Sequence, residues 1–168
     1  MAGRVSRRAW VLAERFRQVS DELAAVVEGC SEAQWRTVCP GEGQSVGVTA
    51  RHVAQWYPVE LAHIRAIAAG RPLPPLSQEA VDDMNARHAA EHAGCTKDDV
   101  LALLRRNAAV AADTARSFSD GELDRVGTLV GASPLGPEVR GSAQEFIVGT
   151  LIAHTRSHLR NIRAALGT

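Results

Sequence analysis

The sequence predicts an all-α protein that folds as a four-helix bundle in one domain, residues 1–168. The chain has 168 residues, of which 45% are hydrophobic and only 4% aromatic, a size that fits one domain with one core. In four long segments, apolar residues recur at three- and four-residue steps, which is the period of amphipathic helices. Capping residues and connections rich in glycine and proline separate these segments. These three observations together favour a helical bundle.

The first two helices are defined by apolar seams with clear end signals. The first covers about residues 5–28 and is ended by Gly29. Its seam consists of Val5, Ala9, Leu12, Phe16, Val19, Leu23 and Val26. The second helix follows the N-cap residue Ser45 and runs to about residue 69. Gly70 and the prolines at positions 72, 74 and 75 end it.

A short extra helix is expected between the second and third long helices. The polar stretch 78–92 carries no strong apolar seam, so we predict a short helix that lies across the bundle. The third long helix opens at residues 96–99, which read Thr-Lys-Asp-Asp, and continues to about Phe118. Its two aspartates lie in the first turn, where negative charge interacts favourably with the helix dipole.

The last third of the chain is predicted to be a long loop followed by the fourth helix. Residues 127–141 contain two prolines and four glycines and are expected to form the loop. The segment 142–145 reads Ser-Ala-Gln-Glu, a capping box that begins a helix extending to Leu166. Residues 31–38 and 119–126 resemble each other, and each is a helix-start-like segment after a long helix. This likeness hints at a duplicated helix pair.

Composition excludes several classes of function. Nineteen basic and nineteen acidic residues balance to a net charge of zero, which removes the electrostatic basis for binding nucleic acid. No apolar run approaches the roughly 20 residues that span a bilayer. Charged Glu14 and Arg15 stand where a signal peptide would be apolar. The three cysteines, Cys30, Cys39 and Cys95, form no CxxC motif, so we expect free thiols in a cytoplasmic protein.

Two histidines occupy consecutive positions on the apolar seam of the fourth helix. That seam consists of Ile147, Leu151, His154, His158, Asn161 and Ala165. His154 and His158 therefore share one face with Cβ atoms roughly 6 Å apart, a spacing at which one helix offers two imidazoles to one metal ion. The residues between them are Thr-Arg-Ser, so the catalytic glutamate of an HExxH motif is absent and the chain is not a zincin.

His52 supplies a third imidazole on the inward face of the second helix. It shares that face with Val48, Trp56, Val59 and His63. Three buried neutral imidazoles need polar partners, and a shared divalent cation supplies them at once. Three histidines without a cysteine leave at least one coordination position open, as in catalytic metal sites. The competing interpretation is that these histidines are structural and satisfied within the core.

The remaining histidines are expected to be ordinary. His63 lies about 16 Å along the helix axis from His52, too far to bind the same ion. His88 and His92 fall in the polar stretch, where a solvated face is the expected environment. Asn107 interrupts the apolar seam of the third helix, either as a satisfied core amide or as an anchor for a histidine or a water molecule.

The motifs on the second and fourth helices resemble those of a known superfamily. The second helix begins Ser-Val-Gly-Val-Thr-Ala-Arg-His-Val-Ala at Ser45, and the fourth contains His-Thr-Arg-Ser-His-Leu-Arg-Asn-Ile from His154. With the helix layout, these motifs resemble the DinB-like superfamily. It includes the bacillithiol and mycothiol S-transferases and the N-terminal domain of mycothiol-dependent maleylpyruvate isomerase. The likeness covers essentially the whole chain.

The resemblance implies a bundle in up-down-down-up order with a divalent metal near one end. It places the metal-ligand role on His52, His154 and His158, the residues that the seams also indicate. Zinc is the expected ion, with nickel or iron as alternatives. Some maleylpyruvate isomerase relatives carry a carboxylate where His154 stands, which argues against that particular activity. The family also implies a homodimer, and apolar Trp10 and Val11 on the first helix agree with self-association.

We expect the site to transfer a low-molecular-weight thiol, mycothiol-like, to an electrophilic small molecule. A three-histidine ion is a Lewis acid that lowers the pKa of a bound thiol or water. Hydrolysis would benefit from a carboxylate base, but Glu60 and Glu145 are poorly placed for this role from their own helices. A metal-dependent hydrolase and a non-catalytic metal- or ligand-binding module remain alternatives. Trp56, Asn107 and Arg156 are the candidate substrate contacts, with a solvated helix face as the alternative for Arg156.

Overall fold

The protein is described by a computed structural model that covers residues 6–131 and 138–168. Its helices are α1 (Arg7–Gly29), α2 (Glu32–Trp35), α3 (Val46–Ala68), α4 (Gln78–Glu91), α5 (Lys97–Ser117), α6 (Asp120–Leu123), α7 (Ala143–Phe146) and α8 (His154–Leu166). A π-helical segment, Ile147–Ala153, joins the last two into one continuous helix. The predicted four long helices and the short extra helix α4 are therefore confirmed. Residue 5, the expected start of the first helix, lies outside the described residues.

The four long helices form a bundle in which sequence neighbours are not always spatial neighbours. Helix α5 packs against both α1 and α3, and the π-helical segment with α8 packs against the same two helices on the other side. The first and second long helices are thus diagonal partners. The core between the four helices is mainly aliphatic, and its largest fully buried aromatic side chains are Phe16, Tyr57 and Phe146. The predicted all-α four-helix bundle is confirmed.

A β-hairpin occupies much of the segment that the sequence predicts to be a loop. Strands β1 (Val126–Val130) and β2 (Glu138–Ser142) pair antiparallel, with Val126 opposite Ser142 and Val130 opposite Glu138. The prediction of a loop over 127–141 is wrong where these strands lie. The glycines and prolines of the segment are typical of loops, so the sequence offers no sign of two short strands. Pro134 and Pro137 lie outside the described residues.

The short repeated segments are helical turns of the same kind. Ser31 and Ser119 each begin a four-residue helix with a capping box, and each helix ends on a buried apolar residue, Trp35 or Leu123. The predicted capping box at Ser142 is also present. In the part of the chain that the structure describes, no helix is both long and apolar enough to cross a membrane.

Candidate metal centre

Three histidines from two helices converge on one point. His52 lies in the second turn of α3, and His154 and His158 lie in the first two turns of α8. One ring nitrogen of each lies within 4.8 Å of the others. The His52 ring centroid is 5.1 Å from that of His158 and 5.8 Å from that of His154. We call these three residues the histidine trio; the structure brings them together as the sequence predicts.

Two carboxylates bind the outer nitrogens of the α8 pair. Oε1 of Glu60 lies 2.7 Å from Nδ1 of His154, and Oε1 of Glu42 lies 2.8 Å from Nδ1 of His158. Glu42 also accepts a hydrogen bond from the side-chain amide of Asn161. Carboxylates in this position fix the tautomer and the orientation of metal-binding imidazoles. Glu60 was expected to be poorly placed from its own helix, and it reaches the site through the packing of α3 against α8, which brings it to His154.

The inner nitrogens of the same pair face each other. Nε2 of His154 lies 2.8 Å from Nε2 of His158. A carboxylate oxygen accepts a hydrogen bond, so each Nδ1 is the donor, and each Nε2 then carries a lone pair unless it is itself protonated. Two lone pairs at this distance repel each other unless a cation lies between them. A shared proton would satisfy only this pair, whereas a metal ion would also satisfy the ring of His52. The donor set therefore fits a divalent cation.

Burial and mutual contacts set the charges of the site. Burial, together with smaller contributions from the neighbouring rings of His158 and His154, lowers the pKa of His52 to about 3, so the ring is neutral near pH 7. The hydrogen bond from His158 lowers the pKa of Glu42 to about 2. Burial raises the pKa of Glu60, an effect that the hydrogen bond to His154 opposes. Neutral imidazole is the form of histidine that binds metal ions.

An irregular helix leads into His154. The π-helical segment Ile147–Ala153 ends one residue before this ligand. Such segments are rare and are frequent at functional sites, because the wider turn changes the direction of the side chains that follow. Here the segment separates the capped start of the fourth long helix from the histidine-bearing part.

Pro58 explains the position of Asn107. This proline lies inside α3 between His52 and Glu60 and has no N–H to donate to the carbonyl of Ala54, four residues earlier. The side-chain amide of Asn107 donates to that carbonyl instead, at 2.8 Å. Asn107 is thus a satisfied core amide, one of the two possibilities raised by the sequence, and it helps to hold the helix that carries His52.

A tight loop delivers Glu42. It lies between Gly41 and Gly43, which adopt φ angles of +80° and +69°. These left-handed conformations are open to glycine at little cost. The main-chain N–H of Glu42 donates to the carbonyl of Cys39, which closes the turn. The two flanking glycines were the only sequence signal for this residue, and they indicate a turn without indicating its partner.

The expectation of a solvated His88 is wrong. His88 is the one buried residue of α4, with its ring centroid 5.7 Å from that of His52. Burial and neighbouring His92 lower its pKa. The polar sequence of α4 concealed this contact, because a single inward residue does not produce an apolar seam. His92 is only partly buried, and partly buried His63 lies outside the trio, as predicted.

Two cavities adjoin the trio. The first, about 560 Å³ including its open mouth, has a mainly apolar surface formed by Trp56, Leu76, Val81 and Leu129. The polar residues that complete its lining are His52, Glu60, His63, Asn85, Thr150 and His154. We call it the apolar cavity. The second, about 630 Å³ including its mouth, is lined by Glu42, Gln44, Thr49, Asn85 and the whole trio, and we call it the polar cavity.

The predicted substrate contacts fall in different places. Trp56 lines the apolar cavity. Asn107 bonds the main chain of α3 and lines neither cavity. Arg156 is exposed and also lines neither, which agrees with the solvated face given as its alternative. Sequence reasoning missed Asn85, which lies on α4 and lines both cavities.

The cysteines are unsuited to act as nucleophiles. Cys30 and Cys39 are buried, Cys95 is partly buried, and all three thiols are free. Burial raises the pKa of each above its ordinary value, which disfavours the reactive thiolate. A thiol reaction at this site therefore needs a thiol from outside the chain.

The fold and the histidine site together define the class of protein. A bundle with one histidine on its second long helix and an HxxxH pair on its fourth is the pattern that the resemblance to DinB-like proteins implies. The family model of the DinB superfamily matches residues 15–162. The chain belongs to the DinB superfamily.

Solved structures with the same fold have little sequence in common with this chain. YfiT from Bacillus subtilis, described as a "probable metal-dependent hydrolase with an unusual four-helix bundle topology", is 15% identical with a TM-score of 0.71; the match covers 99% of this chain and 93% of YfiT. The mycothiol-dependent maleylpyruvate isomerase is 15% identical with a TM-score of 0.70, over 92% of this chain and 60% of the isomerase. The sibling lethal factor precursor DfsB is 15% identical with a TM-score of 0.68, over 96% of both chains. No curated protein matches the sequence.

Proposed function

We propose that His52, His154 and His158 bind one divalent metal ion and that the protein is a metal-dependent enzyme of the cytoplasm. Its proposed reaction is the transfer of a low-molecular-weight thiol, mycothiol-like, to an electrophilic small molecule. Zinc is the preferred ion because three imidazoles suit its tetrahedral geometry, and nickel or iron are the alternatives.

One observation carries the metal site. The Nε2 atoms of His154 and His158 face each other at 2.8 Å while both Nδ1 atoms are bound to carboxylates. A proton shared by this pair would leave the nearby nitrogen of His52 without a partner, whereas a divalent ion would bind all three nitrogens at once. The description of YfiT as metal-dependent supports the same proposal.

The residues of the site prepare it for a thiol nucleophile. A divalent ion held by three neutral imidazoles lowers the pKa of a thiol bound to it. Glu42 and Glu60 hold two of those imidazoles in orientation. In the reaction, the thiol loses its proton and its sulfur forms a bond to an electrophilic carbon. The bond from that carbon to the leaving group breaks, and the leaving group takes the electron pair and finally a proton. The mycothiol dependence of the isomerase favours this reaction class.

Metal-dependent hydrolysis is the second candidate, and Glu60 favours it. This carboxylate lines the apolar cavity, and its Oε2 has no hydrogen-bond partner among the described residues. Glu60 therefore offers a carboxylate base beside the metal site, which hydrolysis would use. YfiT is described as a probable metal-dependent hydrolase, which supports the same candidate. Thiol transfer is preferred because Glu60 already holds His154 through its other oxygen.

A two-panel assay distinguishes these reactions. Zinc-loaded protein is offered a set of thiols with an aromatic electrophile, and then a set of esters and amides without thiol. We expect turnover in the first panel that is lost in His154→Ala and kept in His92→Ala, a histidine outside the trio. Turnover restricted to the second panel would establish the hydrolase instead.

A further inference from the structure

The two cavities beside the trio share His52, Asn85 and His154 and differ in the other side chains that line them. Trp56, Leu76, Val81 and Leu129 give the apolar cavity a hydrophobic wall built from α3, α4, the connection before α4, and β1. Glu42, Gln44 and Thr49 give the polar cavity a wall of hydrogen-bonding groups. Since burial of apolar surface and satisfaction of polar groups favour different ligands, each cavity suits a different chemical class.

The cavities also differ in their access to the ligand atoms. All three histidines line the polar cavity, whereas His158 does not line the apolar one. A molecule in the polar cavity therefore faces the complete set of metal ligands. A molecule in the apolar cavity faces only His52 and His154. The nucleophile must reach the ion, while the electrophile needs only to lie next to the nucleophile.

Asn85 lies at the boundary between the two cavities. It lines both, and its Oδ1 atom is buried without a hydrogen-bond partner among the residues that the structure describes. A buried unpartnered acceptor is costly and is often explained by a ligand that supplies the missing donor. Its position on α4 places that acceptor where ligands of the two cavities meet.

We propose that the site binds two substrates at once, one in each of the two adjoining cavities. A thiol rich in amide or hydroxyl groups occupies the polar cavity, and a small, mainly apolar electrophile occupies the apolar cavity. Asn85 accepts a hydrogen bond from the thiol substrate at the boundary. This proposal rests on the proposed thiol transfer and adds the chemical class of each substrate and the cavity that binds it.

Binding measurements test the two halves separately, without turnover. Nitrobenzene serves as an apolar probe and is followed by quenching of tryptophan fluorescence, with Trp56→Phe to identify the signal. N-acetylcysteamine serves as the thiol and is followed by sulfur-to-metal charge-transfer absorption in cobalt-loaded protein. Val81→Asp alters the apolar wall, and Gln44→Leu alters the polar wall. Met84→Asp, an exposed position on the same helix as Val81, is the matched control.

We expect both probes to bind together, each without displacing the other. Val81→Asp should weaken the binding of nitrobenzene about tenfold, which is about 1.4 kcal/mol, and leave the affinity for the thiol unchanged. Gln44→Leu should weaken the binding of the thiol by a similar factor and leave the affinity for nitrobenzene unchanged. Asn85→Ala should weaken the binding of the thiol, and Met84→Asp should change the affinity for neither probe. Competition between the probes, or equal loss of both in either wall variant, overturns the proposal. Failure of the unaltered protein to bind cobalt contradicts the proposed function itself, and the nitrobenzene measurements then still decide the apolar half.

Discussion

At the scale of single residues, Asn107 shows how a polar group in a helix seam can serve the backbone. Its amide satisfies the carbonyl of Ala54 that Pro58 leaves without a donor. We expect Asn107→Ala to lower the free energy of unfolding by about 1–3 kcal/mol, the cost of an unsatisfied buried group. Chemical denaturation of this variant and of Arg106→Ala, an exposed neighbour, measures the effect. Equal stability of the two variants would mean that the hydrogen bond contributes nothing.

The two carboxylates of the metal centre are open to a direct test. Glu42→Gln and Glu60→Gln keep the side-chain size but remove the negative charge that holds His158 and His154. We expect each to weaken zinc binding by about 10–100-fold, the usual effect of such partners. Competition titration with a chelator gives the affinities, and Glu79→Gln, exposed on α4, is the control. Affinities within a factor of two of the unaltered protein would argue against the orienting role.

The sequence predicted the trio but not the residues that support it. His154 and His158 share a helix face by spacing alone, and His52 stands on an apolar seam, so local periodicity was sufficient. Glu60 is 94 residues from His154, and Glu42 is 116 residues from His158. Their contacts depend on how the helices pack, which no local pattern encodes.

At the scale of elements, the hairpin positions one wall of the apolar cavity. The carbonyl of Val130 accepts a hydrogen bond from the N–H of Leu76, and Leu76 and Gly131 form a parallel bridge. Gly131 has a φ of +112°, and a Cβ atom there would lie 1.7 Å from the carbonyl oxygen of Leu76. This glycine therefore allows the hairpin to approach the connection that carries Leu76.

We expect Gly131→Ala to separate the hairpin from Leu76. Strain of this kind costs about 1–3 kcal/mol, so the free energy of unfolding should fall by that amount and nitrobenzene should bind more weakly. Gly121→Ala is the matched control, because its added Cβ would meet open space. Thermal unfolding and the fluorescence titration measure both effects. Nitrobenzene binding equal to that of the control would show that the bridge does not shape the cavity.

The elements were predictable in proportion to their length and their capping signals. The long helices carry repeated apolar seams, and the serine N-caps at positions 45 and 142 mark two of their starts. The hairpin and the π-helical segment escaped prediction. Each strand is five residues long, and the π-helical segment has the same apolar composition as an ordinary helix.

At the scale of the whole molecule, the outer face of α1 leads us to propose a homodimer. Trp10 is 51% exposed and Val11 is 42% exposed, whereas the other apolar face of α1 is buried in the core. We expect light scattering to report a mass near twice 18.0 kDa, and Trp10→Glu with Val11→Glu to shift it toward the monomer. A monomer at high protein concentration would contradict this expectation.

The overall architecture followed from the sequence because the helix seams and long connections restrict the chain to few arrangements. The location of the site at the contact between α3 and α8 followed from histidines on inward faces. The sequence did not predict that α4 covers this site, because α4 is mostly exposed and contributes single inward residues such as His88 and Asn85. The class of substrate could not be predicted from the sequence either, because the cavities that would bind it form only when the chain folds.

Metal content is the measurement that tests the central claim most directly. Untagged protein is stripped with a chelator, incubated with zinc, dialysed and analysed by elemental mass spectrometry. We predict one zinc ion per chain for the unaltered protein and for His92→Ala. The triple variant His52→Ala, His154→Ala and His158→Ala should retain almost none while remaining helical by circular dichroism. Equal zinc content in the triple variant and the unaltered protein would contradict the account.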